Sequence, residues 1–244
     1  MNFKRLSVRV ALGVLGVMLA WLVFHSVQVP LFTDSIYVHY GAYLIGEHGF
    51  VPYRDLFEIN FPLTYLVHVL IGKVFGFGEF ALRLFGFLSL IGLLVLISRL
   101  FRPIHRAVGW FVAISFGLLY LSRVNNFFQR DFLVLIPVVI IIQSTLKLAH
   151  RRDFKEQQWL CLGVWVALAA LIKPHYAAIL PVALLSVFVF FKLPLTLKMM
   201  CRAMARMAMG FSIPVMIMIA GLSYLDGWEA FVELVMEYLP LYAE

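Results

Sequence analysis

The sequence predicts an all-α integral membrane protein of seven transmembrane helices, with its N-terminus in the cytoplasm and a long first outer loop that carries two surface helices. Three observations predict it. Of the 244 residues 63% are hydrophobic and 14% charged, and the mean hydropathy is +0.95, more apolar side chain than the surface of a soluble globule can hide. The apolar residues come in long, nearly uncharged runs separated by short polar turns. The basic residues, which set a net charge of +7, crowd into alternate connecting segments, the bias that orients membrane helices. In a soluble chain such a charge would point to nucleic acid; here basic cytoplasmic loops beside anionic lipid account for it, and nucleic-acid binding is excluded.

The opening MNFKRLSVRV and the apolar ALGVLGVMLAWLVF resemble a signal sequence. No small-x-small cleavage site precedes Pro30, and the uncharged run 10–31 is long enough to cross a hydrocarbon core of about 30 Å at about 1.5 Å per residue. The expectation is an uncleaved signal anchor with Lys4, Arg5 and Arg9 inside. Further apolar runs follow at 61–75, 80–100, 107–121, 132–148, 159–172, 177–191 and 207–225. The first of these has roughly 15 residues, a helix of about 22 Å, and it carries His68 and Lys73. It is read as a helix on the outer surface. With it outside, the cytoplasmic segments hold fourteen of the twenty basic residues, among them Arg99, Arg102, Arg106, Lys147, Arg151 and Arg152. Made a span, it would send eleven of them to the other face, against the positive-inside bias.

The outer loop, residues 32–79, begins with TDSIYVHYGAYLIGEHGFVPYRDLFEINFP. A first surface helix is expected from Thr33 or Asp34 as N-cap to about Gly46, with Tyr37, Tyr40 and Tyr43 on one stripe suited to the headgroup layer. Gly49, Pro52 and the Arg54–Asp55 pair make a turn, and Pro62 suits the first turn of the second surface helix. Residues 1–244 are read as one transmembrane module without internal repeats. Cys161 and Cys201 have no metal-ligand spacing and are read as packing residues; His39, His48, His68 and His175 share the outer side but lack the close spacing of a zinc site.

An aspartate just after the first span, the segment YRDLFEINFPLTYLVHVL, then FGFGEFALRLFGFLSL entering the second span, a basic RPIHR inner turn, an aspartate in NNFFQRDF, and LIKPHYAAILP together resemble the membrane-embedded GT-C glycosyltransferases. These include the protein O-mannosyltransferases and the aminoarabinose transferase of lipid A. The resemblance implies a seven-helix module that takes a sugar from a polyprenyl-phosphate carrier and passes it to an acceptor on the outer, extracytoplasmic face of the cytoplasmic membrane. By position in the motifs, Asp34 matches the first-loop aspartate, general base or metal-associated, Glu58 the second acidic residue of that loop, Asp131 the acidic residue of the next outer loop, and Lys173 the lysine facing the lipid phosphate. Asn60 stands where many relatives carry a basic residue or proline. The chain ends at YLPLYAE, before the C-terminal acceptor module such enzymes have, so a partner subunit supplying that module is an expectation.

Displacing a phosphate from an anomeric carbon needs a base for the acceptor hydroxyl and positive charge on the leaving group. Asp34 supplies the first; Glu58 and Asp131 either orient it or join it in holding a divalent metal ion, the one cofactor expected, through hard oxygen ligands. Lys173, Arg130, Arg54 and His175 supply the second. The expected partners are the polyprenyl-phosphate sugar, a glycan, lipid or protein acceptor, and membrane lipids. Plainer roles compete: Asp34 as a helix cap, Glu58 as a solvated loop charge, Asp131 as partner of Arg130, Lys173 as a snorkelling span end. Two other readings of the whole chain are a non-catalytic subunit or fragment of such an enzyme, and a transporter. The near absence of charge within the spans opposes the second.

Overall fold

The computed structural model describes residues 3–31, 33–122, 130–150, 155–190 and 196–242. These form eleven α-helices: α1 Phe3–Gln28, α2 Thr33–His48, α3 Pro62–Phe75, α4 Glu79–Phe101, α5 Arg106–Leu121, α6 Arg130–His150, α7 Glu156–Ile172, α8 Ile179–Phe190, α9 Leu197–Tyr224, α10 Trp228–Glu233 and α11 Leu239–Tyr242. A 3₁₀ turn, Pro174–Ala178, leads into α8, and a π turn, Leu234–Tyr238, joins α10 to α11. Among the described residues four helices are long and apolar enough to cross a membrane, over Leu6–Gln28, Glu79–Phe101, Asp131–Ala149 and Leu197–Tyr224. The expected spans at 107–121, 159–172 and 177–191 correspond to shorter apolar helices: α5 with 16 residues, α7 with 17, and the 3₁₀ turn continued by α8 with 12.

Helix ends follow local chemistry. Gly49, at φ 71°, ends α2 in the left-handed conformation that glycine adopts without a Cβ clash, and the Phe50 N–H returns to the Leu44 carbonyl at 3.2 Å. Asp34 lies in the first turn of α2, where a carboxylate opposes the positive end of the helix dipole. Pro62 opens α3, where its missing N–H costs nothing. The final apolar run is part of a longer helix, because Thr196 caps α9 by accepting the Met199 N–H, and the Ala- and Met-rich segment after it favours helix.

The chain divides into two compact units, residues 1–37 with 78–139 and residues 38–77 with 140–244. In the first, Leu82, Leu90, Leu93 and Ile97 of α4, Ala113 and Leu121 of α5, and Phe132 and Val139 of α6 form the core, with Leu19, Leu22 and Val23 of α1 packed against it. Gly109 lets α5 approach α4 closely, since a Cβ there would lie 2.4 Å from the Ser98 carbonyl oxygen. Arg83 of α4 donates to the Ser26 and Val29 carbonyls at 2.9 and 2.8 Å. It thereby satisfies the open end of α1 with a cation, the sign the C-terminal dipole favours, while Glu79 pairs with the same guanidinium.

In the second unit α7 and α9 meet through two glycines. A Cβ on Gly163 would lie 2.1 Å from the Met207 oxygen, and one on Gly210 would lie 2.0 Å from the Leu160 oxygen. Small residues at a crossing let backbones pack directly, the contact that holds helices together where lipid removes the hydrophobic drive. The hairpin of α2 and α3 is keyed by Phe77, whose ring fills a notch left by Gly46 and Gly72; a Cβ would come within 2.7 and 2.0 Å of the ring. Lys73 and Glu47 close the same hairpin with an ion pair at 2.8 Å.

Candidate functional site

The turn joining α2 to α3 carries a connected set of polar side chains in the second unit. Asp55 folds it: its carboxylate accepts the Val51 N–H at 2.8 Å and its own N–H returns to the Val51 carbonyl at 3.0 Å. Arg54 forks onto both Asp55 oxygens at 3.1 and 3.2 Å and reaches Asp226 at 2.9 Å. The Arg54 hydrogen bonds, and next the Val51 N–H, hold the Asp55 carboxyl below the usual carboxylate range. Tyr53 is buried between Tyr65 and Phe231, with ring centroids at 6.2 and 4.9 Å, and its hydroxyl donates to the Asn60 carbonyl at 2.7 Å. Burial first, then the nearby Tyr65 and Glu58, raises this phenol well above its ordinary value. Asn60 in turn donates its side-chain amide to Glu58 at 2.9 Å.

Backbone strain marks the same place. Tyr53 at φ 70° and Asp226 at φ 60° are the non-glycine residues in the left-handed region among the described residues, a conformation that costs on the order of 1 kcal/mol and collects at functional positions. Tyr53 precedes Arg54, and Asp226 is the ion-pair partner of Arg54; Gly227 sits against Pro52, with a Cβ there 2.8 Å from the Pro52 oxygen. The turn is therefore clamped onto the junction of α9 and α10.

A second polar feature lies between α2 and α3. His39 and His68, 5% and 2% exposed, face each other with their Nδ1 atoms 3.4 Å apart, and Phe77 covers His39 with ring centroids at 5.8 Å. Burial, and then His39 beside it, pushes His68 down to about 3; burial also lowers His39. Both rings are thus neutral at pH 7.

Among the residues predicted from sequence, the structure joins Glu58 to Asn60 and gives Arg54 two carboxylate partners. Lys173 is half-buried where α7 ends; its N–H closes the helix on the Ala169 carbonyl at 2.9 Å, and its carbonyl accepts the Tyr176 N–H at 3.1 Å. His175 lies exposed in the 3₁₀ turn against Tyr176, with ring centroids at 4.6 Å. In the first unit Asp34 and Asp131 are both exposed in the first turns of α2 and α6, and Arg130 opens α6. Among the described residues no three His, Cys, Asp or Glu side chains gather into a set that could hold a metal ion. Asp226 and Tyr53 escaped the sequence reading, which named His39 and His68 but missed their pairing. Their signals, an aspartate before glycine, a tyrosine after proline and two histidines in apolar stretches, acquire meaning only from contacts across the fold.

Long apolar helices joined by polar turns make this a multi-pass α-helical membrane protein. The family model for dolichyl-phosphate-mannose-protein mannosyltransferase matches residues 60–219, well over half of the chain. The protein belongs to that family, and in class it is a membrane glycosyltransferase. The matched segment includes Arg130, Asp131, Lys173 and His175; Asp34, Arg54 and Glu58 precede it. Comparison with curated proteins and comparison with solved structures each return no match.

Proposed function

We propose that the protein transfers a sugar from a polyprenyl-phosphate carrier to an acceptor hydroxyl on the outer face of the cytoplasmic membrane. The observation that carries this reading is the family match over 60–219, which contains the acidic start of α6 and the lysine that ends α7. In the proposed topology α1, α4, α5, α6, α7, α8 and α9 are the seven spans, the N-terminus is cytoplasmic, and α2 and α3 lie on the outer surface.

The acceptor oxygen attacks the anomeric carbon, Asp34 takes its proton, and the carbon–oxygen bond to the carrier breaks with its electron pair passing to the phosphate. Lys173 compensates the charge that grows there, with Arg130 and His175 beside it in sequence role. Arg54 already has two carboxylate partners, so it orders the turn more than it meets phosphate. Glu58, fixed by Asn60, and Asp131 orient the base Asp34.

The test is transfer from polyprenyl-phosphate mannose in proteoliposomes holding the full chain. Asp34→Asn should lower the rate by about 10²–10⁴-fold, the usual contribution of a general base, with donor binding retained. Unchanged transfer by the variant removes Asp34 from the reaction, and a wild-type protein that neither binds nor turns over such donors overturns the proposal.

A further inference from the structure

Glu58 is a half-buried carboxylate in the turn joining α2 to α3, and a glutamate has several torsions to fix before its oxygens act at one point in space. A loop by itself leaves such a side chain free. Here the Asn60 side-chain amide donates to Glu58 Oε2 at 2.9 Å. Asn60 is itself 8% exposed, and its carbonyl accepts the Tyr53 hydroxyl at 2.7 Å. Its neighbours in the chain, Ile59 and Phe61, pack into the apolar cluster of Tyr53, Tyr65, Phe231 and Leu234, with the Phe61 and Phe231 rings 5.6 Å apart. The peptide that carries the amide is therefore anchored on both sides.

Two helices grip Tyr53: α3 supplies Tyr65 and α10 supplies Phe231. To put the ring between them the backbone adopts φ 70°, which a tyrosine keeps only where its surroundings enforce it. A phenylalanine would fill the same space; the hydroxyl adds the bond to the Asn60 carbonyl. At the other end of the chain of contacts, Glu58 Oε1 takes no hydrogen bond or ion pair among the described residues. One carboxylate oxygen is held and the other is left to meet a reacting group.

We infer, on the reading of Glu58 as part of the sugar-transfer site, that Tyr53 and Asn60 are positioning residues, which aim the Glu58 carboxylate by transmitting the packing of α3 and α10 to it through two hydrogen bonds. Side chains that act in a reaction need their direction fixed by packing and by supporting hydrogen bonds. Neither Tyr53 nor Asn60 touches a reacting atom in this scheme; each acts through Glu58.

Two substitutions remove the bonds and keep the shapes: Tyr53→Phe deletes the hydroxyl, and Asn60→Leu deletes the amide at nearly constant volume. Thermal unfolding shows that each variant is folded. In proteoliposomes holding the full chain and supplied with polyprenyl-phosphate mannose, Asn60→Leu should lower kcat by about 10²-fold, the usual cost of a misplaced group, and Tyr53→Phe by about tenfold or less, the worth of one hydrogen bond; the KM for the donor stays unchanged. In a Glu58→Ala background neither substitution should lower kcat further. Losses that add to that of Glu58→Ala overturn the positioning role and leave a structural one.

A second readout needs no activity. In nanodiscs, Glu58 and the exposed Glu237 of the π turn are coupled to glycine ethyl ester by a water-soluble carbodiimide and followed separately by peptide mass spectrometry. Tyr53→Phe and Asn60→Leu should each speed the labelling of Glu58 relative to Glu237, by up to about tenfold for Asn60→Leu. Equal ratios in the three proteins overturn the hold on the carboxylate. A wild-type protein without transfer overturns the sugar-transfer reading and the positioning role with it, while the labelling still decides whether Tyr53 and Asn60 hold Glu58.

Discussion

Acid should loosen the hairpin of α2 and α3, and the cause is the buried histidine pair. His68 is a base whose value falls from 6.5 to about 3 in the folded protein. Between those limits the unfolded chain binds a proton that the folded one refuses, so stability is full above about pH 6.5 and declines as pH falls toward 3. Each unit is worth about 1.4 kcal/mol; at pH 4.5, two units below the unfolded value, the loss from this one ring is on the order of 3 kcal/mol, and it levels off at a few kcal/mol below pH 3. His39, lowered in the same direction, adds to it. The sensitive region is α2 with α3, since these are the helices whose packing holds the rings, and no carboxylate contributes to the shift of either. Hydrogen exchange of amides 38–48 and 62–75 at pH 7 and 4.5, in detergent, reads the local opening. Carboxylates elsewhere also titrate over that range, so the comparison is with His68→Gln, whose protection should fall less between the two pH values whatever its absolute stability. Equal pH dependence in the two proteins would show that the pair is not the acid-sensitive element, and the reasoning from burial would be refuted.

Two further tests address packing. Gly163→Ala places a methyl 2.1 Å from the Met207 oxygen and should cost about 3 kcal/mol as α7 and α9 are forced apart; thermal unfolding reads it, with Gly92→Ala, which meets nothing within 4 Å, as the control that leaves stability unchanged or slightly raised. Gly72→Ala should expel the half-buried Phe77 ring from its notch, and Phe77→Ala alone should cost less than the ~3–5 kcal/mol of a fully buried ring; the double variant should be little worse than Phe77→Ala, so additive losses in a double-mutant cycle would deny the wedge.

Much of the architecture was legible because it rests on one-dimensional facts. A run of apolar residues such as 80–100 must leave water wherever it lies in the fold, and its length alone says what it can cross. Pro62 and Gly49 act through their own backbone, so the turn between α2 and α3 could be read from them, with the end of α2 displaced from Gly46 to His48. The family was legible through the order of its short motifs, and the match over 60–219 agrees with it. Asp34, Glu58, Asp131 and Lys173 were visible as residue types at polar positions, a property of local sequence; their roles stand as proposals because a role is a matter of mutual geometry.

Only the tertiary structure paired Arg54 with Asp226, 172 residues apart, set His39 against His68, and brought Gly163 and Gly210 to facing backbones. Hydropathy specifies that a side chain is buried and says nothing of its neighbour, since that depends on which helices close on each other and in what register. The turn between α2 and α3 shows the difference. Its turn residues were evident in the sequence, whereas the packing of Tyr53 on Phe231 of α10 and the clamp of Arg54 to Asp226 come from elements far along the chain, which no local pattern encodes.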